Sequence, residues 1–227
     1  MTTDFFKFPS TPHLAALGNN DVRDDKCFSD AERENFLSHK ITIEEKIDGA
    51  NLGISFDSNG DVFFQNRGSK ITEFSGQWKK LQYWYMQYAD FLFDSLSDQY
   101  ILFGEWCYAK HSVFYDSLPD LFVAFDIFDK KTGSFFSVKR RNTFLNGSGI
   151  FMVPFVAEGY FTFEALKNMT FISSFGHENA EGIYCRIDNA DWLIQRAKLV
   201  RPAFRQTIEE HWSRQTICQN LVKMTYI

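Results

Sequence analysis

Short strand-like segments separated by turn residues recur along most of the chain, and they constrain its fold more than any other feature. The clearest case is a hairpin, in which 51–56 alternates moderately, 58–61 supplies an Asn-Gly turn and 62–65 returns as a strand. The segment before it, 41–47, is rich in β-branched residues. Further strands are predicted at 100–107, 121–128, 134–137, 151–156, 182–187 and 192–200.

Helical patterns interrupt these strands without a regular strand–helix alternation. Apolar residues at spacings of three and four predict a helix over 76–96, and shorter helices are predicted over 139–145 and 162–168. From Pro202 onward the pattern is helical again, with the proline at its start. The mixture predicts an α+β fold with mostly antiparallel strands. We expect one domain over 1–201, with an N-terminal segment 1–40, and a short helical C-terminal extension over 202–227.

Composition places the chain among ordinary globular proteins. Its 227 residues and 44% hydrophobic content are enough to bury a core, and the 26 phenylalanines are expected to pack there. The net charge of -5 argues against nucleic-acid binding through a broad basic surface, although it allows a local basic groove. Any nucleic-acid function must therefore be argued from a site.

Cysteines, histidines and apolar runs exclude several other classes. The four cysteines form no CxxC pair, and the five scattered histidines form no zinc motif. No apolar run is long enough for a membrane span, and the N-terminus does not have the pattern of a signal peptide. We therefore expect a cytoplasmic protein with reduced thiols and no membrane partner.

A lysine at a predicted strand end, Lys46, is the strongest candidate for chemistry. It precedes Asp48 and Gly49, and glycine permits a tight turn and the close approach of a ligand. A lysine attacks phosphorus only when neutral, which costs roughly 4 kcal/mol near neutral pH for an unperturbed amine. Nearby cations or a metal would lower that cost. On its own, however, this pattern is also typical of a surface turn after a strand.

Five further segments follow Lys46 in order. They contain Arg67, then Glu105, then Phe125 with Asp126, then Glu181, and finally the triplet from Arg196 to Lys198. The ordered set resembles the covalent nucleotidyltransferase superfamily of polynucleotide ligases and capping enzymes, and within it the ATP-dependent RNA ligases of the phage RNA-ligase-two branch. The resemblance spans residues 44–201. It implies the nucleotidyltransferase (adenylyltransferase) fold, with antiparallel sheets flanked by helices.

The resemblance implies a nucleotide-binding role for four positions. Lys46 would form a covalent lysyl-AMP and release pyrophosphate. Glu45 would accept a hydrogen bond from the adenine amino group, Glu105 would bind the ribose hydroxyls, and Phe125 would stack on the adenine. ATP is therefore the expected AMP donor.

The resemblance also assigns residues to phosphates. Asn51 and Arg67 would contact the phosphate or ribose side, or the RNA end. Arg196 and Lys198 would neutralise the triphosphate and help to lower the pKa of Lys46.

A metal follows from two carboxylates. Glu181 and Glu105 would help to hold Mg²⁺ or Mn²⁺, and magnesium typically binds through few carboxylates together with phosphate oxygens. Phosphoryl transfer is catalysed mainly by positioning and charge stabilisation, which such a site supplies.

Further contacts are expected from Asp48, Lys110 and His111, which could meet a phosphate or the RNA. The segments 8–14 and 108–116 resemble a bacterial and phage subgroup of these ligases. A structural loop after a strand explains Lys110 and His111 equally well.

The chain departs from the family pattern in two places. Arg196 stands where the family usually has lysine, and arginine cannot act as a general acid at neutral pH, so Lys198 would have to carry that role. Few residues follow Lys198, whereas ligases of this superfamily usually carry a further domain there. Self-adenylylation is therefore better supported than complete sealing, and a partner protein could supply RNA affinity.

These features together predict an ATP-dependent RNA ligase of RNA repair that joins 5′-phosphate and 3′-hydroxyl ends. One alternative is DNA nick sealing or GTP-dependent capping, against which Asn51 argues, because many of those enzymes have arginine there. The other is a nucleotide-binding adaptor without turnover, against which Lys46, Glu105 and Glu181 argue.

Overall fold

Two β-sheets form the frame of the molecule, and the chain passes between them at the end of its first strand. The computed structural model describes residues 5–17, 27–201 and 217–223. The first sheet has the strand order β10-β9-β1-β8 and is antiparallel throughout. Its strands are β1 (Ile41–Lys46), β8 (Phe155–Gly159), β9 (Gly182–Asp188) and β10 (Leu193–Val200).

The second sheet has the order β3-β2-β4-β5-β6, with β7 pairing parallel to β5. Its strands are β2 (Ala50–Phe56), β3 (Val62–Gln65), β4 (Tyr100–Trp106), β5 (Phe122–Asp129), β6 (Ser134–Phe135) and β7 (Phe151–Met152). Four α-helices flank the sheets: α1 (Asp30–Leu37), α2 (Leu81–Leu96), α3 (Val138–Leu145) and α4 (Phe163–Lys167). The predicted α+β fold with mainly antiparallel sheets is confirmed.

Separate hydrophobic clusters cover the two sheets. Leu81, Trp84, Leu92 and Leu96 of α2 pack against the second sheet, as the helical spacing predicts. The first sheet buries Ile41 and other residues against Phe36 and Leu166 of α1 and α4. The phenylalanines contribute as expected, since stacked, tilted and edge-on rings form an aromatic group at β4 and β5. Its members are Phe6, Phe8, Phe103, Phe128 and Phe135.

The predicted strand 151–156 is in fact two strands in different sheets. Val153 donates its backbone N–H to Ala124 of β5, whereas Pro154 has no N–H and its carbonyl accepts from Glu45 of β1. β7 therefore belongs to the second sheet and β8 to the first. This crossing brings β1 and β5 close together, and both strands carry candidate site residues.

Two predicted helices also differ in the structure. The helix predicted over 76–96 begins with the 3-10 turn Gly76–Trp78 and becomes α-helical only at Leu81. The predicted C-terminal helix lies largely outside the described residues. Its described part, 217–223, is extended and forms bridges to Ala109 and Leu118, so the helix prediction is wrong there.

The helix α1 was not predicted, although a local signal for it exists. Ser29 accepts a hydrogen bond from the Glu32 backbone, and the Glu32 side chain accepts one from the Ser29 backbone. This reciprocal pair is a capping box, which the spacing of Ser29 and Glu32 could have indicated.

Candidate active site

The candidate site lies where the chain leaves one sheet for the other. Lys46 is the last residue of β1, and 47–49 carry the chain to β2. A Cβ at Gly49 would lie 2.9 Å from the carbonyl oxygen of Trp106, so glycine is needed there for the close approach of β4. That requirement comes from packing within the protein, whereas the sequence had suggested a ligand.

A cavity of about 300 Å³ opens at this junction. Seven of the predicted site residues line it, and they come from six strands or their ends: Glu45, Lys46, Asn51, Arg67, Glu105, Phe125 and Lys198. Residues that are distant in sequence thus meet around one lysine. Glu181, Asp48, Lys110, His111 and Arg196 do not line the cavity wall.

The amine of Lys46 is held by a carboxylate. Its Nζ lies 2.6 Å from Oε2 of Glu181, and both side chains are largely buried. Burial lowers the pKa of Lys46, but the negative charges of Glu181, Glu105 and Asp48 outweigh it and hold the pKa above its ordinary value. The expectation that nearby cations lower this pKa is therefore wrong for the protein without nucleotide.

Among the described residues, two buried oxygen atoms of cavity-lining side chains have no hydrogen-bond partner. They are Oδ1 of Asn51 and Oε2 of Glu105, which lie opposite each other on the paired strands β2 and β4. Burial raises the pKa of Glu105 to about 8, with the charge of Lys46 opposing that rise. An orphaned buried acceptor is costly, so these atoms are ready to receive donors or a cation from a ligand.

The side chains near Lys46 supply few metal ligands of their own. The described parts of the chain contain no group of three or more His, Cys, Asp or Glu side chains that could hold a metal ion. Glu105 and Glu181 nevertheless both interact electrostatically with Lys46, and Oε2 of Glu105 has no hydrogen-bond partner among the described residues. Two carboxylates fit an ion such as Mg²⁺ that completes its shell with phosphate and water.

Glu45 is fixed by a loop before β9. Its Oε1 accepts a hydrogen bond of 2.5 Å from the Ser173 hydroxyl, and its Oε2 accepts one of 3.0 Å from the Ser174 backbone. Both oxygens are therefore engaged, and the side chain is oriented before any ligand binds. No sequence signal pointed to the two serines.

Phe125 occupies a β-bulge in β5. Phe103 pairs with Asp126 and Gly104 with Ala124, so Phe125 has no partner on β4. Its carbonyl oxygen instead accepts hydrogen bonds from Arg141 at 2.6 Å and from Arg186 at 3.3 Å. The bulge turns the ring into the cavity, and the two arginines satisfy the backbone that the bulge frees.

Arg196 belongs to this support of Phe125. Its Nη1 lies 2.7 Å from Oδ2 of Asp126, and its guanidinium stacks on the rings of Phe8 at 4.6 Å and Phe135 at 4.3 Å. Arg196 and Lys198 share a strand face, as their alternation predicts, but only Lys198 reaches the cavity wall. The structure therefore places Arg196 beside the ring of Phe8, away from the lysine.

The N-terminal segment completes the cavity. Lys198 donates its backbone N–H to Pro12 at 2.9 Å, and its carbonyl accepts from Leu14 at 2.8 Å. This pairing covers the outer edge of β10 and brings Phe8 and Thr11 into the cavity wall, together with Tyr184. Sequence reasoning singled out the segment 8–14 but assigned no role to Phe8, Thr11 or Tyr184.

Asp48 organises the loop after β4. Its Oδ2 accepts hydrogen bonds from the backbone of Ser112 at 2.6 Å and Val113 at 3.0 Å. The same loop carries His111, whose Nε2 lies 3.2 Å from Oε1 of Gln77. Burial lowers the pKa of His111. The bonds of Asp48 suit a structural role in this loop, which places Lys110 and His111 beside the cavity.

The C-terminal segment 217–223 holds the far side of that loop. Asn220 is buried, and its Nδ2 donates to the carbonyls of Cys107 and Ala109, while its Oδ1 accepts from the Tyr115 backbone. The Tyr115 hydroxyl in turn accepts from the backbone N–H of Asp48. A continuous set of hydrogen bonds therefore joins the C-terminal segment to the turn after Lys46.

The fold is similar to the nucleotidyltransferase fold of RNA ligases, and comparisons with known proteins define the family. The sequence profile of the RNA ligase family matches residues 39–200, well over half of the chain. The chain therefore belongs to the RNA ligase family. A search of curated protein sequences finds no match.

Solved structures of an RNA ligase from Naegleria gruberi share the fold. One, a lysine variant with ATP and manganese, has a TM-score of 0.64 and 14% identity, covering 92% of this chain and 60% of its own. Another, with pyrophosphate, has a TM-score of 0.62 and 18% identity, covering 94% and 60%. The chain thus spans about 60% of the length of those proteins.

No helix within the described residues is long and apolar enough to cross a membrane.

Proposed function

We propose that this chain is an ATP-dependent RNA ligase in which Lys46 accepts AMP. The observation that carries the proposal is the convergence of Glu45, Asn51, Glu105 and Lys198 on one cavity around the Lys46 amine. Family membership and the nucleotide complexes of the Naegleria gruberi ligase support the same reading.

The reaction has three balanced steps. The neutral Lys46 amine attacks the α-phosphorus of ATP, so that a P–N bond forms, pyrophosphate leaves and the amine loses a proton. A 5′-phosphate of RNA then attacks the same phosphorus, takes AMP and releases the lysine. Finally, a 3′-hydroxyl attacks the activated 5′-phosphate, a phosphodiester forms and AMP leaves.

The residues of the cavity divide this work. Phe125 presents its ring for stacking on adenine, and the fixed carboxylate of Glu45 accepts a hydrogen bond from the adenine amino group. The unpartnered oxygens of Glu105 and Asn51 accept hydrogen bonds from ribose hydroxyls or metal-bound water. Lys198 and Arg67 also line the cavity and stabilise the phosphate charge that develops.

Charge around Lys46 is the main obstacle to the first step. The amine is protonated while Glu181 and Glu105 remain unneutralised, because their charges raise its pKa. Both carboxylates would hold Mg²⁺ or Mn²⁺ together with phosphate oxygens, and the bound ion would offset their charge. Lys198, from β10 of the same sheet as Lys46, adds positive charge at the cavity once the triphosphate is bound.

Nucleotide labelling tests the proposal. The purified chain is incubated with divalent metal and either [α-³²P]ATP or [α-³²P]GTP, and the adenylated protein is then given nicked RNA, DNA and hybrid substrates. We expect covalent label from ATP alone and transfer to 5′-phosphate RNA. Label from GTP would indicate a capping-type reaction, sealing of DNA alone would indicate a DNA ligase, and bound but unattached nucleotide would indicate an adaptor.

A further inference from the structure

A groove outside the candidate active site combines exposed lysines with an exposed aromatic ring. We call it the α2 groove, and it is formed by Lys79, Lys80, Tyr83 and Gln87 at the start of α2, facing 120–121 and Val222. Its volume is about 550 Å³. None of these residues belongs to the ATP cavity described above.

The lysines of the α2 groove are available to an anionic ligand. Lys79 and Lys80 are exposed, and their amines lie 5.2 and 5.9 Å from the ring centre of Tyr108. Within the described ranges, neither forms an ion pair. The acid in the groove, Asp120, already accepts hydrogen bonds from Trp84 and Tyr88. Two adjacent cations therefore face outward on a chain with a net charge of -5.

Tyr83 supplies a stacking surface next to these lysines. Its side chain is 78% exposed, although it lies in a helix whose Trp84 is buried in the core. An exposed aromatic ring beside cations is the combination that proteins use to bind single-stranded nucleic acid, since bases stack and phosphates pair with the cations. Gln87 lies one turn further along the same helix and can hydrogen-bond a base.

The α2 groove adjoins the ATP cavity. Gln77 accepts a hydrogen bond from Trp106 through its carbonyl and contacts His111 through its side chain. Trp106 points to the face of β4 opposite Glu105. The connection therefore runs through His111, which interacts electrostatically with Lys46 and contacts Gln77, two residues before Lys79. An RNA strand whose end reaches Lys46 can therefore pass His111 and continue toward the lysines.

We propose that the α2 groove binds a single-stranded segment of the RNA substrate near the end being joined. Phosphates pair with Lys79 and Lys80, and one base stacks on Tyr83. The inference rests on the proposed ligase function. The α2 groove would be an RNA contact surface separate from the AMP-transfer site, and a small basic patch on a protein whose net charge is negative.

RNA binding at several salt concentrations tests the proposal. A fluorescent single-stranded RNA with a 5′-phosphate is titrated with the full chain and with K79E/K80E. The matched control is K131E/K139E, which makes the same charge change at exposed lysines on another face. We expect at least a tenfold loss of affinity for K79E/K80E and a change within about threefold for the control.

Salt dependence and stacking separate the two parts of the groove. The slope of log affinity against log salt should become less steep by about 1.4 for K79E/K80E, which corresponds to two lost phosphate contacts on a single strand. Y83A should weaken binding by about tenfold without changing that slope. An equal loss on blunt duplex RNA would contradict the preference for a single strand.

Self-adenylylation distinguishes the two proposals, because that step needs no RNA. If the wild-type chain takes no AMP, the ligase function fails, while the binding assay still reports on the groove. If the wild type is adenylated but K79E/K80E binds RNA as the control does, the groove proposal fails; the surface would then suit a protein partner. Loss of adenylylation in K79E/K80E would also overturn it, since the groove would not be separate.

Discussion

The molecule contains two clusters of buried polar groups only a few residues apart, and they differ in how fully their oxygen atoms are paired. In the arginine network beneath Phe125, both oxygens of Glu44 bind Arg141, and the two oxygens of Asp126 bind Arg186 and Arg196. In the cavity beside Lys46, by contrast, Oδ1 of Asn51 and Oε2 of Glu105 have no hydrogen-bond partner among the described residues.

The difference indicates that the polar groups of the arginine network stabilise the fold, whereas those of the cavity suit the binding of a ligand. Buried ion pairs that satisfy one another recover much of their desolvation cost, and removing one partner is strongly destabilising. Unpartnered acceptors destabilise the free protein and gain their partners only on binding. The network has one incomplete contact, since Nε of Arg186 and Oδ1 of Asp188 lie 3.7 Å apart and neither atom has a hydrogen-bond partner among the described residues.

The largest expected effect comes from opening the arginine network. R141M removes the partner of buried Glu44 and one donor to the Phe125 carbonyl, so we expect a loss of about 3–5 kcal/mol in the free energy of unfolding. Chemical denaturation measures it. K139M, an exposed neighbour on α3, should change stability by less than about 0.5 kcal/mol. If R141M were as stable as K139M, the network would not be the structural support described.

Changing an unpartnered acceptor in the cavity should lower the rate of adenylylation and leave the free energy of unfolding nearly unchanged. E105Q keeps the shape of the side chain but replaces one carboxyl oxygen with an NH2 group, which can neither accept a hydrogen bond nor bind a metal ion, so the rate of lysyl-AMP formation should fall by about 100-fold. The free energy of unfolding should stay within about 1 kcal/mol of the wild type, because burial already raises the pKa of this carboxyl to about 8. The exposed-site control E73Q should alter neither quantity. A large loss of stability in E105Q would place Glu105 with the structural group.

The smallest expected effect tests Arg196, which stands between the two clusters. R196K retains charge but loses the planar guanidinium that stacks on Phe8 and pairs with Asp126, so the position of Phe125 should relax. We expect the KM for ATP to rise by about tenfold while kcat for adenylylation changes less than threefold. A fall in kcat with an unchanged KM would instead indicate contact between Arg196 and the triphosphate.

Local patterns explain what the sequence could predict. The hairpin 50–65, the strand that ends at Lys46 and the apolar period of α2 all follow from neighbouring residues. The family resemblance added the order of the site residues, seven of which line one cavity. Their roles in catalysis remain predictions.

The remainder depends on long-range contacts that no short pattern encodes. The division of 151–156 between two sheets follows from Pro154 meeting Glu45, and the pairing of Arg186 with Asp126 joins residues of different sheets. The raised pKa of Lys46 likewise depends on Glu181 and Glu105, which reach it only in the fold. The sequence instead suggested that the cations Arg196 and Lys198 would lower the pKa of Lys46, which is the wrong direction.

In the proposed function the buried amine of Lys46 becomes covalently attached to AMP, and intact-mass spectrometry followed by peptide mapping measures this attachment. After incubation with ATP and divalent metal, the account predicts a mass gain of one AMP on Lys46, with none in K46A, a variant whose fold is checked by circular dichroism. An unmodified wild-type mass, or AMP on a different residue, would contradict the account.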